Sequence, residues 1–196
     1  MMLSYAASRL QGPNVHLVQS SYARLPEVLE SLRIPRVDRV LLDLGLSSDQ
    51  LSDTARGFGF QAGGPLDLRF DVTQGEPASD LLERIDEQAL RRILEEYGEE
   101  QFSAPIAREI VRRRSIRTTE DLTAAVSAAI PDRFLRDARK HPATRVFQAL
   151  RIAVNRELDQ LTSMLNIGLP TTLAPGGRAV VLTFHSLEDR PVKNAF

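Results

Sequence analysis

The chain contains no cysteine and no tryptophan. Without thiols there are no disulfide staples, no thiol nucleophile and no cysteine-ligated zinc, and the composition suits a reducing compartment. No apolar run approaches the ~18 residues that a membrane-spanning helix needs. The opening segment MMLSYAASRLQGPN lacks the basic start and long apolar stretch of a secretory signal. A cytoplasmic protein with no membrane partner is the expectation. Lysine is scarce too: only Lys140 and Lys193 stand against 23 arginines. Arginine suits bidentate phosphate contacts, although a GC-rich genome gives the same bias. Net charge is also lacking, with 25 basic and 26 acidic residues leaving −1. No bulk field advertises a polyanion.

What is present is an ordinary globular composition, 42% hydrophobic and 26% charged over 196 residues. At roughly 150 residues per domain that is one domain, or one domain with an insertion. The charge is unevenly placed. From Asp38 to Glu100 there are 6 basic and 15 acidic residues, and from Gln101 to Gln160 there are 12 and 7. A local polyanion site is better hinted by that contrast than by the total.

Patterning points to an α/β chain interrupted by helices. Val15–Gln19 reads as a short strand and Leu25–Leu32 as a short helix. Val37–Leu44 (VDRVLLDL) reads as a buried parallel strand that ends with Asp43 at its carboxyl end. Residues 45–78 have little periodicity and many turn residues, which in a compact domain marks a functional loop. From Ser79 to Lys140 the spacing is helical, with Thr118 or Thr119 as a cap. Pro142 then opens a long helix whose Phe147, Leu150, Val154, Leu158, Leu161 and Leu165 form one apolar stripe. Arg178–Phe184 (RAVVLTF) reads as a second buried strand. The expected division is a sheet domain over 1–78 and 141–196 with a helical insertion over 79–140. Ligands are sought at the strand carboxyl ends.

Five constellations carry chemistry, each beside a plainer alternative. Asp43 with Gly45, Ser47, Ser48 and Gln50 could reach a ligand at the sheet edge, or Ser47 and Ser48 could simply cap a helix. In RGFGFQAGGPLDLRFD, Phe58 and Phe60 could stack on a base and Arg56 or Arg69 could meet phosphate. The alternative is a self-packed loop with its aromatics inward. Thr144, Gln148, Arg151, Asn155 and Asp159 share a helix face that could read a nucleotide, brace the loop, or merely be solvated. His185 could shuttle a proton with Glu188 or Asp189 orienting it, yet Ser186–Asp189 is also a good helix start. Arg112, Arg113 and Arg114 with Arg117, then Arg133, Arg136, Arg139 and Lys140, form the basic part of the insertion and could bind phosphate, or could simply be a solvated helical face. His16, His141 and His185 show no metal-ligand spacing.

In this order the segments VLLDLGLSSDQL, RGFGFQAGGPLDLRFD, YGEE, HPATRVFQALRIAVNRELDQL and LAPGGRAVVLTFHSLEDRPVK resemble the bacterial ribosomal RNA cytosine-N4 methyltransferase family, the MraW or RsmH type. The resemblance implies a Rossmann-like, S-adenosylmethionine-dependent methyltransferase fold with a helical substrate-recognition insertion. It implies methylation of the exocyclic amine of a cytidine in the decoding region of 16S ribosomal RNA, within the small ribosomal subunit. By motif, Tyr22, Asp43 and Gln50 would contact the cofactor, Tyr22 standing where the family usually has Phe. Asp43, Ser47 and His185 are the catalytic candidates, and Arg112, Arg113, Arg139, Lys140 and Arg145 the RNA-binding ones. No metal is implied, because the sulfonium methyl is already electrophilic. The cytosine amine is a poor nucleophile, so acceptors for its hydrogen bonds are sought at Leu44–Ser48.

One departure accompanies these matches. The family begins with a strand and a Gly-rich cofactor loop, and none of the 11 glycines here forms such a loop near the N-terminus. The resemblance therefore implies a chain shortened at both ends, with part of the cofactor site missing and the sheet flanks unpaired. On that basis the alternative function is a non-catalytic fragment that binds ribosomal RNA or an assembly partner.

Overall fold

The computed structural model describes residues 2–59, 63–136 and 141–196. The chain divides into two compact units, one of Met1–Gly45 with Leu158–Phe196 and one of Leu46–Glu157. The second is wider than the helical stretch at 79–140, because the preceding loop and the following helix share its core.

In the first unit, α1 (Met2–Arg9) and α2 (Leu25–Ser31) precede strand β1 (Val37–Asp43). Val15–Gln19, expected as a strand, runs without regular structure. Its Val15 and Val18 are exposed, so the alternation there has no core to face. Strand β2 (Leu173–Leu182) pairs with β1 in parallel, the only such pairing among the described residues. Arg39 stands opposite Arg178, Leu41 opposite Val180 and Asp43 opposite Leu182. Between Val37 and Arg39 the register breaks, because β2 spends Ala174–Gly177 on a bulge. Arg36 Nη1 fixes the start by donating to the Leu173 carbonyl at 2.6 Å.

Neither strand is buried on both faces, contrary to the expectation for VDRVLLDL and RAVVLTF. Val40, Leu42 and Leu44 pack with Leu161, Met164, Leu165 and Leu169. On the opposite face Leu41 is 67% exposed, and Val180 and Leu182 are exposed with it. The apolar run was long enough for a doubly covered strand, but only alternate residues meet a partner layer. The expected stripe from Phe147 to Leu165 is also broken. Helix α9 (Thr144–Asn155) stops at Arg156, whose φ of 51° is left-handed, and the chain resumes as α10 (Glu157–Ser163), with the short α11 (Leu169–Thr172) before β2. Phe147 and Leu150 therefore serve one core and Leu161 and Leu165 the other.

The second unit contains α3 (Ser48–Ser52), α4 (Ala78–Arg84), α5 (Glu87–Gly98), α6 (Ser103–Arg113), α7 (Thr119–Ala129), α8 (Asp132–Arg136) and α9. Leu90 and Leu94 of α5 meet Ile106 and Ile110 of α6, Leu122 and Val126 of α7, and Val146 and Leu150 of α9 in one cluster. Each such side chain contributes about 1.5–3 kcal/mol by leaving water. The loop before α4 joins the same core through Phe58, Leu66 and Leu68. Pro65 and Thr118 form an isolated antiparallel bridge.

Of the two candidate caps, Thr118 takes the role. Its hydroxyl accepts from the Asp121 amide at 3.1 Å and Asp121 Oδ2 accepts from the Thr118 amide at 2.9 Å, a reciprocal capping box. Thr119 beside it is wholly buried and its Oγ1 has no hydrogen-bond partner. The two threonines should thus respond oppositely in urea unfolding. Thr118→Ala is expected to cost about 1 kcal/mol by losing the cap. Thr119→Val is expected to gain up to about 1 kcal/mol by removing a desolvated hydroxyl. Equal destabilisation by both would contradict this account.

Candidate functional site

Parallel pairing brings the ends of β1 and β2 to one edge. Asp43 stands opposite Leu182, and the Leu44 amide donates to the Leu182 carbonyl at 3.2 Å. Asp43 is exposed there. Three residues past β2 the chain turns into α12 (Ser186–Ala195), with His185 as the residue before its first turn. Glu188 of that first turn is only 3% exposed. Its Oε2 accepts from the Phe184 amide at 2.9 Å, and its Oε1 lies 3.2 Å from His185 Nε2. That last pair is close but misaligned for a hydrogen bond, and neither ring nitrogen of His185 has another hydrogen-bond partner. Of the two acids that could orient His185, Glu188 is therefore the neighbour. Asp189 instead pairs with Lys193 at 2.6 Å. Phe184, expected inside a buried strand, lies beyond the end of β2 and is 70% exposed.

Tyr22 belongs to the same unit. It begins a short helical turn, Tyr22–Arg24, capped by Ser21, whose hydroxyl accepts from the Ala23 amide at 3.2 Å and donates to Gln160 Oε1. Its ring packs, half-buried, against the cluster around Val40 and Leu44.

In the other unit, Ser47 and Gln50 make the first turn of α3. The Gln50 amide donates to Ser47 Oγ at 3.2 Å and the Ser47 amide to Gln50 Oε1 at 3.0 Å. Both residues thus act as caps in this arrangement, the plainer of the two readings open to the serine. The following loop is packed on itself. Gly57 adopts φ 68°, and a Cβ there would lie 2.2 Å from the Pro65 carbonyl oxygen. Phe58 is buried, with its ring 5.6 Å from that of Phe70. Arg56 Nη2 donates to the carbonyls of Arg69 and Phe70, and Arg69 pairs with Asp67 at 2.8 Å. These guanidinium groups hold the loop instead of projecting toward solvent. Phe60 lies outside the described residues.

Leu68 is the strained point of this loop, a buried leucine at φ 63°. Asn155 of α9 secures it. The Asn155 Nδ2 donates to the Leu68 carbonyl at 2.7 Å, and its Oδ1 accepts from the Phe70 amide at 2.7 Å. Of the uses weighed for the polar face of α9, bracing is the one these bonds display. Gln148 reaches the Tyr97 carbonyl at 3.3 Å and Arg151 pairs with Glu157 at 2.8 Å.

The basic residues are largely engaged. Arg112 and Arg113 bond Glu109 at 2.8 and 2.7 Å. Hydrogen bonds from Arg112 and then Arg113 hold the Glu109 carboxyl down to about 2. Arg145 Nη1 donates to the Glu99 carbonyl at 3.0 Å. Arg139 and Lys140 lie outside the described residues. Among the described residues, no group of three or more His, Asp or Glu is placed to hold a metal, and no helix is long and apolar enough to cross a membrane.

The family model of the MraW methylase family matches residues 1–196, the whole chain. The chain belongs to that family. Proteins named ribosomal RNA small subunit methyltransferase H are similar to it over most of its length. The one from Methylibium petroleiphilum is 47% identical over 95% of this chain and 59% of its own length. That from Geotalea uraniireducens is 49% identical over 99% and 63% respectively, and that from Methylococcus capsulatus 54% over 81% and 52%. This member of the MraW family thus spans about 60% of the length of such relatives. Its α/β character, a parallel strand pair with many helices, is consistent with part of a Rossmann-like methyltransferase fold. Two features escaped reading by sequence, the left-handed Leu68 and the exposed Phe184. Leucine and phenylalanine ordinarily signal core, and neither carries a mark of the exception.

The loop brace has a measurable signature. Asn155→Ala leaves the Leu68 carbonyl and the Phe70 amide unpaired, which should cost about 2–3 kcal/mol in urea unfolding. Asn155→Asp keeps the acceptor and should cost less. The Asp67 carboxyl adds a pH dependence. Burial alone would raise its pKa, but hydrogen bonds and charge from Arg69 outweigh this and hold it below the usual value. Stability from this pair is therefore present above the unfolded value of about 4 and fades as pH falls below it. Asp67→Asn should flatten that acid limb in a pH series of melts; an unchanged limb would contradict the assignment.

Proposed function

We propose that the chain carries the chemistry of an S-adenosylmethionine-dependent methyltransferase acting on N4 of a cytidine in the decoding region of 16S ribosomal RNA. The observation that supports this best is the family match over the whole chain, together with an exposed Asp43 at the carboxyl edge of a parallel strand pair. That edge is the usual ligand-binding place in α/β sheets. Helices within 79–140 would serve as the substrate-recognition insertion.

The residues present fit part of a cofactor site. Tyr22 offers an aromatic surface and Asp43 an exposed carboxylate for hydroxyl or cationic groups; Gln50, which belongs to the other unit, keeps an amide donor left over from its capping bond. When bound, S-adenosylmethionine supplies a methyl group on a positively charged sulfur. The chain's own contribution is to the amine. Asp43, the Ser47 hydroxyl and the backbone carbonyls of Leu44–Ser48 would accept its hydrogen bonds, concentrating the nitrogen lone pair. His185, its ring nitrogens free of hydrogen bonds and Glu188 alongside, would take the proton released as the new C–N bond forms. Arg112, Arg113, Arg139, Lys140 and Arg145 would hold RNA phosphates, with Arg112 and Arg113 first exchanging Glu109 for phosphate.

The test is methyl transfer from labelled S-adenosylmethionine to small ribosomal subunits that lack the modification. Label in one 16S cytidine, reduced about 100-fold or more by Asp43→Ala, is the expected result. Subunit or RNA binding with no transfer by the unsubstituted chain would favour the non-catalytic reading instead.

A further inference from the structure

We infer that Phe184 is a stacking platform for the RNA base that the chain acts on, an assignment that rests on the methyltransferase reading above. Among the described residues no aromatic before the last residue of the chain is more exposed. An aromatic ring normally buries 150–250 Å² on folding, so leaving it in water forfeits much of its apolar stabilisation. The ring is nonetheless held in place. Gly45 sits at φ 88°, and a Cβ at that position would lie 3.1 Å from Phe184 Cδ2 and 3.7 Å from Cε2. The missing side chain gives the ring a flat seat on the backbone that follows Asp43. The Phe184 amide is tied to the buried Glu188 carboxylate at 2.9 Å, which fixes the backbone that carries the ring. One edge of the sheet thus presents a seated aromatic surface and, beside it, the exposed carboxylate of Asp43, with the ring nitrogens of His185 buried behind them. Stacking orients a flat heterocycle, and the polar groups beside it address its edge. Val180 and Leu182 continue the apolar row along β2, but they stand on the body of the strand, whereas Phe184 lies past its end.

The test uses a short RNA oligonucleotide carrying the fluorescent base pyrrolocytosine, whose emission falls when it stacks on an aromatic ring. The unsubstituted chain should bind it, read by anisotropy, and quench it. Phe184→Leu keeps apolar bulk without a π face, and should abolish the quench and weaken binding roughly 5- to 100-fold. Phe184→Trp should restore both, which a purely structural role would not require. Affinity for S-adenosylmethionine, measured by calorimetry, should be the same in all three. A quench that survives in Phe184→Leu overturns the platform while leaving RNA binding intact. A fall in cofactor affinity with the quench preserved overturns it too, giving the ring to the cofactor's adenine. Failure of the unsubstituted chain to bind the oligonucleotide overturns both this assignment and the RNA reading beneath it.

Discussion

The parallel pairing of β1 with β2 is the constraint on which the candidate site depends. Asp43 and His185 come from opposite ends of the sequence, and no local preference would bring them together. The register does so, by placing Asp43 against Leu182 and leaving only a short turn before α12. A register slip of one residue would reverse which side chains face the core and which face out. The packing of Val40, Leu42 and Leu44 on Leu161, Met164 and Leu165 resists that slip. The candidate edge is thus specified by the burial of Leu42 and Leu44, the residues on either side of Asp43.

The other unit shows the same economy in a loop. A stretch without periodicity is held by Arg56 on two carbonyls, by Asp67 with Arg69, and by Asn155 across Leu68 and Phe70. A leucine at positive φ persists only when its surroundings over-determine it. Here they do, since its side chain is buried and its carbonyl is bonded. The charges that look like phosphate ligands in sequence are the same ones that do this holding. Arg112 and Arg113 repeat the pattern with Glu109. Arginine in this chain is first a structural residue, which is why its abundance alone was a weak guide.

Much was legible from the residues. The run VDRVLLDL, α2, the helices between Ser79 and Arg136, and the cap before α7 each follow from local spacing and hydrogen-bonding chemistry. What was not legible depends on neighbours. Val15–Gln19 alternates correctly but has no sheet to join. RAVVLTF reads as buried, yet its alternate residues face solvent because only one side meets a layer. The break at Arg156 interrupts an apolar stripe that continues undisturbed in sequence. Among candidate site residues, the position of Asp43 at a strand end follows from pattern, whereas its proposed role rests on the family resemblance. The seat of Phe184 on Gly45 and the burial of Glu188 are tertiary facts with no counterpart in spacing.

On the proposed reading, the carboxyl edge of this strand pair receives the methyl donor. Amide hydrogen exchange with and without S-adenosylmethionine tests it most directly. The account predicts slowed exchange confined to residues 43–50 and 182–188, together with the turn at Tyr22, and little change in α5–α7. Protection that falls elsewhere, or no change at saturating cofactor, would contradict it.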